Sequence, residues 1–397
     1  MVKFRASIID RLFGVGEQFP RILLIAPDSR ILTSQIVSAT GLVMFYRLFP
    51  DGSRQSVPLH NQFAGPQTTS CWIIGGGPSL NALPWSQIER SPAPRFSINL
   101  SGASLLRPTF WTSYDPTHRF HRSIYLDPGI LKFVHSCRAM DLIPQTTFKV
   151  CEAPNLLCFD RTRGRGFHDF PSPGGQDIQR PVQIRERDCL PGITDWQDSF
   201  VQAIDIAYRL GFRRLYLAGC DMFIAPSAEL VTFASTFGVS YQTHEPLGAF
   251  LRRCIQAGAA RAELERHALG DQYHFDEEKP FAAAVQTDEH YFRVVQYLRL
   301  SRRALSLSGL ELISVTPDSR LNDHFPIRSV EDAVQDILYD VGDPAAESTR
   351  GMYTCPSRPR ERPLAPMRDV PPHHWNSARA PQQHPPIPEE AIPLEEG

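Results

Sequence analysis

Two periods of apolar residues alternate along the middle of the chain. Cys71-Trp-Ile-Ile74 is a short apolar run cut off by Gly75-Gly-Gly77, Arg95-Phe-Ser-Ile-Asn-Leu100 is a second, and Thr109-Phe-Trp-Thr-Ser-Tyr114 is a third that stops at Asp115-Pro116. Runs this short, bounded by turn residues, predict buried strands. From Asp198 the period changes. Phe200, Val201, Ile204, Ala207, Tyr208 and Leu210 fall on one face of an amphipathic helix that Gly211 ends, and Arg214-Leu-Tyr-Leu-Ala-Gly-Cys-Asp221 then predicts a strand. A last helix is expected over Glu289 to Ser308, followed by a strand over Leu310 to Val315. Strands separated by helix-length segments imply a parallel sheet.

The fold expected is therefore α/β: a Rossmann-like, mostly parallel sheet with flanking helices over residues 70–335. The segment 1–69 has a different pattern. Gly41-Leu-Val-Met-Phe-Tyr-Arg-Leu-Phe49 runs into Pro50-Asp-Gly-Ser53, a hairpin signal, and predicts a small β-rich N-terminal element. Arg161 to Pro191 holds many arginines, prolines and glycines and reads as an irregular loop. Residues 341–397 are dense in Pro, Arg, Glu and Gln, with too little apolar surface to offset ordering entropy. A disordered Pro-rich tail, open to a protein partner, is expected there.

Composition narrows the function classes. A net charge of -2 and a pI near 6.7 give no basic field for nucleic acid. No apolar run is long enough to span a membrane, the start MVKFRASIIDRLFG lacks a signal-peptide pattern, and a cytoplasmic protein is expected. The eight cysteines contain no CxxC pair, so they are expected to be reduced core thiols.

Candidate chemistry gathers where open parallel sheets place ligands, after the carboxyl ends of strands. In Gly75-Gly-Gly-Pro-Ser-Leu80 the glycines Gly75, Gly76 and Gly77 allow close backbone approach, Pro78 suits a first helical position, and Ser79 adds a hydroxyl. A strand, loop and helix of this kind would cradle a phosphate. Asn99, Asp115 and Asp221 follow strands and could bond a base, a ribose or an acceptor hydroxyl. His290, at the start of the last expected helix, is a candidate general base. His118 and His121 resemble a metal pair only loosely, and a capping role is the more ordinary account. The arginines of 161–187 could close over phosphate oxygens, or form a solvated loop.

Several of these segments occur in one order: Ile73 to Leu80, Asn99, Asp115, Asp198-Ser199 opening a helix, Leu210 to Asp221, and Ile313-Ser-Val-Thr-Pro-Asp-Ser319. Over residues 70–325 this order resembles the group that joins bacterial single-domain sialyltransferases, flagellin-modifying motility accessory factor proteins and archaeal-type hydroxymethylpterin pyrophosphokinases. The resemblance to the sialyltransferase branch implies that Gly75, Gly76, Gly77, Ser79, Asn99 and Ser199 contact a CMP-sugar. It also implies that His290 acts as base on the acceptor hydroxyl, and that neither metal nor cofactor is needed beyond the nucleotide-sugar donor. The chain departs from that branch at Gly76, where an Asn is usual. It also lacks the expected tyrosine pair, since no tyrosine occurs between Tyr125 and Tyr208. Nucleotide-sugar transfer to a hydroxyl acceptor, with His290 and Asp221 as catalytic groups, is the leading expectation. The alternatives are a diphosphate-transferring kinase of the pterin type, with Asp115 or Asp221 around a divalent metal, and a non-enzymatic binding or assembly module.

Overall fold

The computed structural model describes residues 45–64, 69–99, 101, 107–162, 192–267, 272–274, 277–278 and 280–341. Most of the arginine-rich loop, the beginning of the chain and the tail from 342 onward lie outside them.

The strands are β1 (Phe45–Leu48), β2 (Arg54–Val57), β3 (Ser70–Ile74), β4 (Arg95–Ile98), β5 (Phe110–Thr112), β6 (Leu131–His135), β7 (Leu156–Phe159), β8 (Arg161–Thr162), β9 (Ile193–Thr194), β10 (Arg214–Ala218), β11 (Gln272–His274), β12 (Glu277–Glu278) and β13 (Glu311–Ser314). The α-helices are α1 (Trp85–Arg90), α2 (Arg122–Leu126), α3 (Ser199–Leu210), α4 (Ala228–Ser235), α5 (Leu247–Gln256), α6 (Arg261–His267), α7 (Phe281–Leu307) and α8 (Val330–Val341). Nine strands form one sheet in the order β13-β10-β3-β4-β5-β6-β7-β1-β2, parallel from β13 through β7, with the β1–β2 hairpin antiparallel at one edge. This is the expected α/β architecture with a mostly parallel sheet and flanking helices. Gly52 takes φ 83 in the hairpin turn, a conformation open to glycine at no steric cost.

The strand order decides where a ligand can sit. From β3 the chain steps outward through β4 to β7, then returns to the other side of β3 to lay down β10 and β13. The crevice at such a reversal lies outside the carboxyl ends of the two central strands, here β3 and β10.

Burial explains the strands. Ser70 to Ile74 is buried throughout, and Trp72 stands against Tyr216 of β10 with ring centroids 5.3 Å apart. Phe45, Phe96, Phe110 and Phe133 meet across four strands, each with a neighbouring ring within about 6 Å. On α3 Asp198 caps the N-terminus, its side chain accepting from the Phe200 and Val201 amides, and Gly211 ends the helix at φ 113. β6 and β7 are unanticipated, because Lys132 breaks the apolar run of β6 and β7 is only four residues long. Lys132 is fully buried, donating to the Asp127 carbonyl, and burial lowers its pKa well below the ordinary lysine range.

Two expectations are corrected. No helix opens at Pro78: a 3-10 turn covers Pro78–Ala82, and α1 begins only at Trp85. Pro84 is the cause, since it holds Leu83 extended at φ -75, ψ 145 and divides the turn from the helix. The last long helix begins at Phe281, not Glu289, with Pro280 as its N-cap, so His290 sits inside α7. Among the described residues no helix is long and apolar enough to cross a membrane. The described cysteines are free thiols, all buried except Cys137.

Candidate functional site

The loop after β3 is laced to the end of β10. Gly75 N–H donates to the Ala218 carbonyl and Gly77 N–H to the Gly219 carbonyl, both at 2.8 Å. A Cβ on Gly75 would lie 2.5 Å from the Gly219 carbonyl oxygen, and one on Gly77 would coincide with the Asp221 carboxylate. These glycines are thus required by close backbone approach. The approaching anion at Gly77, however, is internal to the chain. Ser79 Oγ donates to Asp221 Oδ2 at 2.6 Å, and Ser79 N–H to Asp221 Oδ1 at 3.3 Å.

Asp221 is 7% exposed. Burial pushes its carboxyl up to about 6, against the bonds from Ser79, which favour the charged form. The folded chain therefore holds this proton to higher pH than the unfolded chain, which releases it near the ordinary value of 3.8. Stability falls as pH rises between those values, and the cost is complete above about pH 6, on the order of 3 kcal/mol at most. Asp221→Asn keeps an acceptor for Ser79 and removes the charge. It is expected to raise stability at pH 8 by about 1–2 kcal/mol, and by nothing at pH 4. Urea unfolding at the two pH values checks this, and equal effects at both would contradict it.

A second cluster lies after β4 and β5. Asn99 is at φ 51, and its Oδ1 accepts from Ser113 Oγ at 2.6 Å and Ser199 Oγ at 2.7 Å. Ser199 Oγ accepts in turn from the Tyr114 amide at 2.8 Å. With both bonds falling on Oδ1, the Asn99 amide N–H donors meet no acceptor among the described residues. Asp115 ion-pairs with Arg119 at 2.6 Å, its own amide donating to Ser113 Oγ. Arg161, from the arginine-rich stretch, stacks 3.8 Å over the Tyr114 ring and donates to Gln202 Oε1 at 2.8 Å. A guanidinium is thereby set beside the Ser113–Ser199 pair.

The third element joins α3 to α7. His290 Nε2 meets Asp198 Oδ2 at 3.1 Å, while Asp198 Oδ1 caps α3. The imidazole is 28% exposed on its side chain and Asp198 10%. With Nε2–H donating to the carboxylate, Nδ1 is left as a proton acceptor. Asp198 and Ser199 are consecutive, so one helix start holds both the imidazole and the Asn99 cluster.

Sequence reasoning puts Gly75, Gly76, Gly77, Ser79, Asn99, Asp115, Ser199, Asp221 and His290 in one crevice. The structure places all of them beyond the carboxyl ends of β3, β4, β5 and β10 or on the α3 and α7 faces nearby. It bonds them as three separate groups: Ser79 with Asp221, Asn99 with Ser199, and His290 with Asp198. Sequence reasoning misses Ser113, Asp198 as a histidine partner, and Arg161 as an individual. The Asp-Ser pair at a helix start is the available signal for Asp198. His121 caps α2, its Nδ1 accepting from the Ser123 amide at 3.0 Å. Among the described residues no three His, Cys, Asp or Glu side chains gather as a metal set.

The glycine loop with Asp221, the Asn99–Ser199 cluster and the Asp198–His290 pair all belong to the carboxyl end of the sheet, where the strand order reverses. Compared with protein-family models, curated proteins and solved structures, the chain matches none of them.

Proposed function

We propose that the chain binds a nucleotide-activated sugar, of the CMP type, in the crevice outside β3 and β10, and transfers the sugar to a hydroxyl acceptor. The observation that carries this reading is the Asp198–His290 pair next to Ser199. A transfer to an alcohol needs a base for the acceptor proton and a stabilised nucleotide leaving group.

In this reading His290 Nδ1 takes the proton of the acceptor hydroxyl. The acceptor oxygen forms its bond to the anomeric carbon as the bond from that carbon to the phosphate oxygen breaks. Negative charge passes to the phosphate; the Phe200, Val201, Gly75, Gly77 and Ser79 amides are already bonded within the chain, so the Arg161 guanidinium is the group proposed to face it. Ser79 is already bonded to Asp221. A phosphate that reaches Ser79 shares it with Asp221 in its protonated form, which donates where the carboxylate accepts. With the carboxyl at about 6, donor binding strengthens toward mildly acidic pH. Asn99 Nδ2 and Arg161 would meet the base or the ribose phosphate.

A thermal-shift series with CMP, UDP, GDP, ADP and their sugars, with and without magnesium, tests the reading. A ligand at 100 times its Kd adds about 2.7 kcal/mol of stability, so the cytidine compounds are expected to raise Tm without magnesium. Stabilisation by none of them overturns the proposal. A response confined to adenosine nucleotides with magnesium assigns the site to diphosphate transfer instead.

A further inference from the structure

Away from this crevice, the other end of α7 carries a patch the proposed reaction does not use. Arg299, Arg302 and Arg303 are exposed at three- and four-residue spacing, which sets them on one helix face. With edge strand β13, residues 324–328 and α8 they line a cavity of about 1100 Å³. Two other arginines of that cavity are paired internally: Arg214 with Glu311 and Asp340, and Arg328 with Asp336. Among the described residues no carboxylate lies in ion-pair range of Arg299, Arg302 or Arg303. The same cavity exposes apolar surface, with Leu300 at 48% and Tyr339 at 89%.

The cavity also contains a sheet edge. β13 ends the nine-stranded order; Ser314 N–H donates to Pro326 and Arg328 N–H to Ser314, and Leu310, Leu312 and Ile313 are buried, so the strand is the floor of the cavity. Glu311 and Leu312 face the cavity. Exposed apolar groups grouped around such a floor are a surface that folded chains normally cover.

The chain beyond α8 is suited to cover it. Tyr339 and Asp340 line the cavity, so the chain leaves α8 at its rim. Within 342–397 the arginines fall at 350, 358, 360, 362, 368 and 379, whereas 387–397 reads Ile-Pro-Glu-Glu-Ala-Ile-Pro-Leu-Glu-Glu-Gly, with four glutamates and no cation. The 45 residues from 342 to 386 have a contour length of up to about 150 Å, enough to return to the rim.

We propose that residues 387–397 dock into this cavity of their own chain. Glu389, Glu390, Glu395 and Glu396 meet Arg299, Arg302 and Arg303, while Ile392 and Leu394 cover Leu300 and Tyr339.

Hydrogen exchange of the full chain tests this at residues 308–315. With an effective concentration near 1 mM and a segment Kd of about 0.1 mM, docking slows exchange there about tenfold. The quadruple reversal E389R, E390R, E395R and E396R is expected to abolish that protection, as is R302E with R303E, and the two sets combined restore it. About 1 M NaCl weakens it in the unmodified chain, which checks the contact without any substitution. Exchange at 308–315 unchanged by the tail reversal overturns the proposal. Protection that grows with protein concentration overturns it in favour of docking between two copies.

Discussion

Replacing Asp288 with alanine is expected to cost about 3–5 kcal/mol of stability, the loss typical of stripping one partner from a buried ion pair. Asp288 is 0% exposed and Arg320 2%. One carboxylate oxygen accepts from Arg320 at 3.0 Å and from the Ile224 amide at 2.9 Å, and the other accepts from the Leu247 amide at 2.8 Å. Arg320 reaches onward to the Met222 carbonyl at 2.9 Å and the His244 carbonyl at 3.0 Å. Alanine at 288 therefore leaves a guanidinium and two amides buried without their acceptor. The Arg320 amide also donates to the Asp221 carbonyl at 3.0 Å, so the loss loosens the backbone that carries the Asp221 carboxylate. Arg320→Met is expected to cost a similar amount by stranding the carboxylate. Asp288→Leu with Arg320→Met recovers part of the loss, because the pair's own desolvation cost goes with it. Urea denaturation of the four proteins checks the series. A loss under about 1 kcal/mol for Asp288→Ala would show that water reaches the pair and that it does not knit α7 to these loops.

That pair is invisible in the sequence. The chain has 41 Lys and Arg against 43 Asp and Glu, and nothing local marks which two end up buried together 32 residues apart. What is legible depends on short range. β3 shows as an apolar run closed by glycines, α3 as a 3.6-residue period between an Asp cap and a Gly stop, and the β1–β2 hairpin as Asp51-Gly52. Strand order is a long-range property, and the site depends on it. That β10 lies beside β3 brings Asp221 onto Gly77 and Ser79. In sequence the glycine loop makes room for a ligand's anion, because its residues say only that something approaches closely. The structure supplies a carboxylate from the neighbouring strand. Any phosphate at this loop must therefore contend with an internal acid that changes from acceptor to donor near pH 6.

On the glycosyl-transfer reading, His290→Ala is expected to lower kcat by about 10²–10⁴-fold, the range that general-base assistance supplies. KM for the donor is expected to change little, since the loop residues and Asn99 remain. Asp198 makes this test specific. It acts through His290 and through the α3 cap together, its two oxygens divided between them. Asp198→Asn keeps an oxygen that can cap the helix, while its amide group donates where the carboxylate oxygen accepted from Nε2–H. The ring is then driven to carry its proton on Nδ1, the atom meant to receive one. A fall in kcat approaching that of His290→Ala, with Tm within a few degrees of the unmodified chain, is the outcome expected of a positioning carboxylate. Asp198→Ala instead loses the cap, which costs about 1 kcal/mol, and should lower kcat and Tm together. If Asp198→Asn transfers sugar at the unmodified rate while His290→Ala does not, the pair is structural and the imidazole works without it. If both keep full activity, the acceptor proton leaves by another route and the base must be sought elsewhere in the crevice, with Asp221 the first group to substitute.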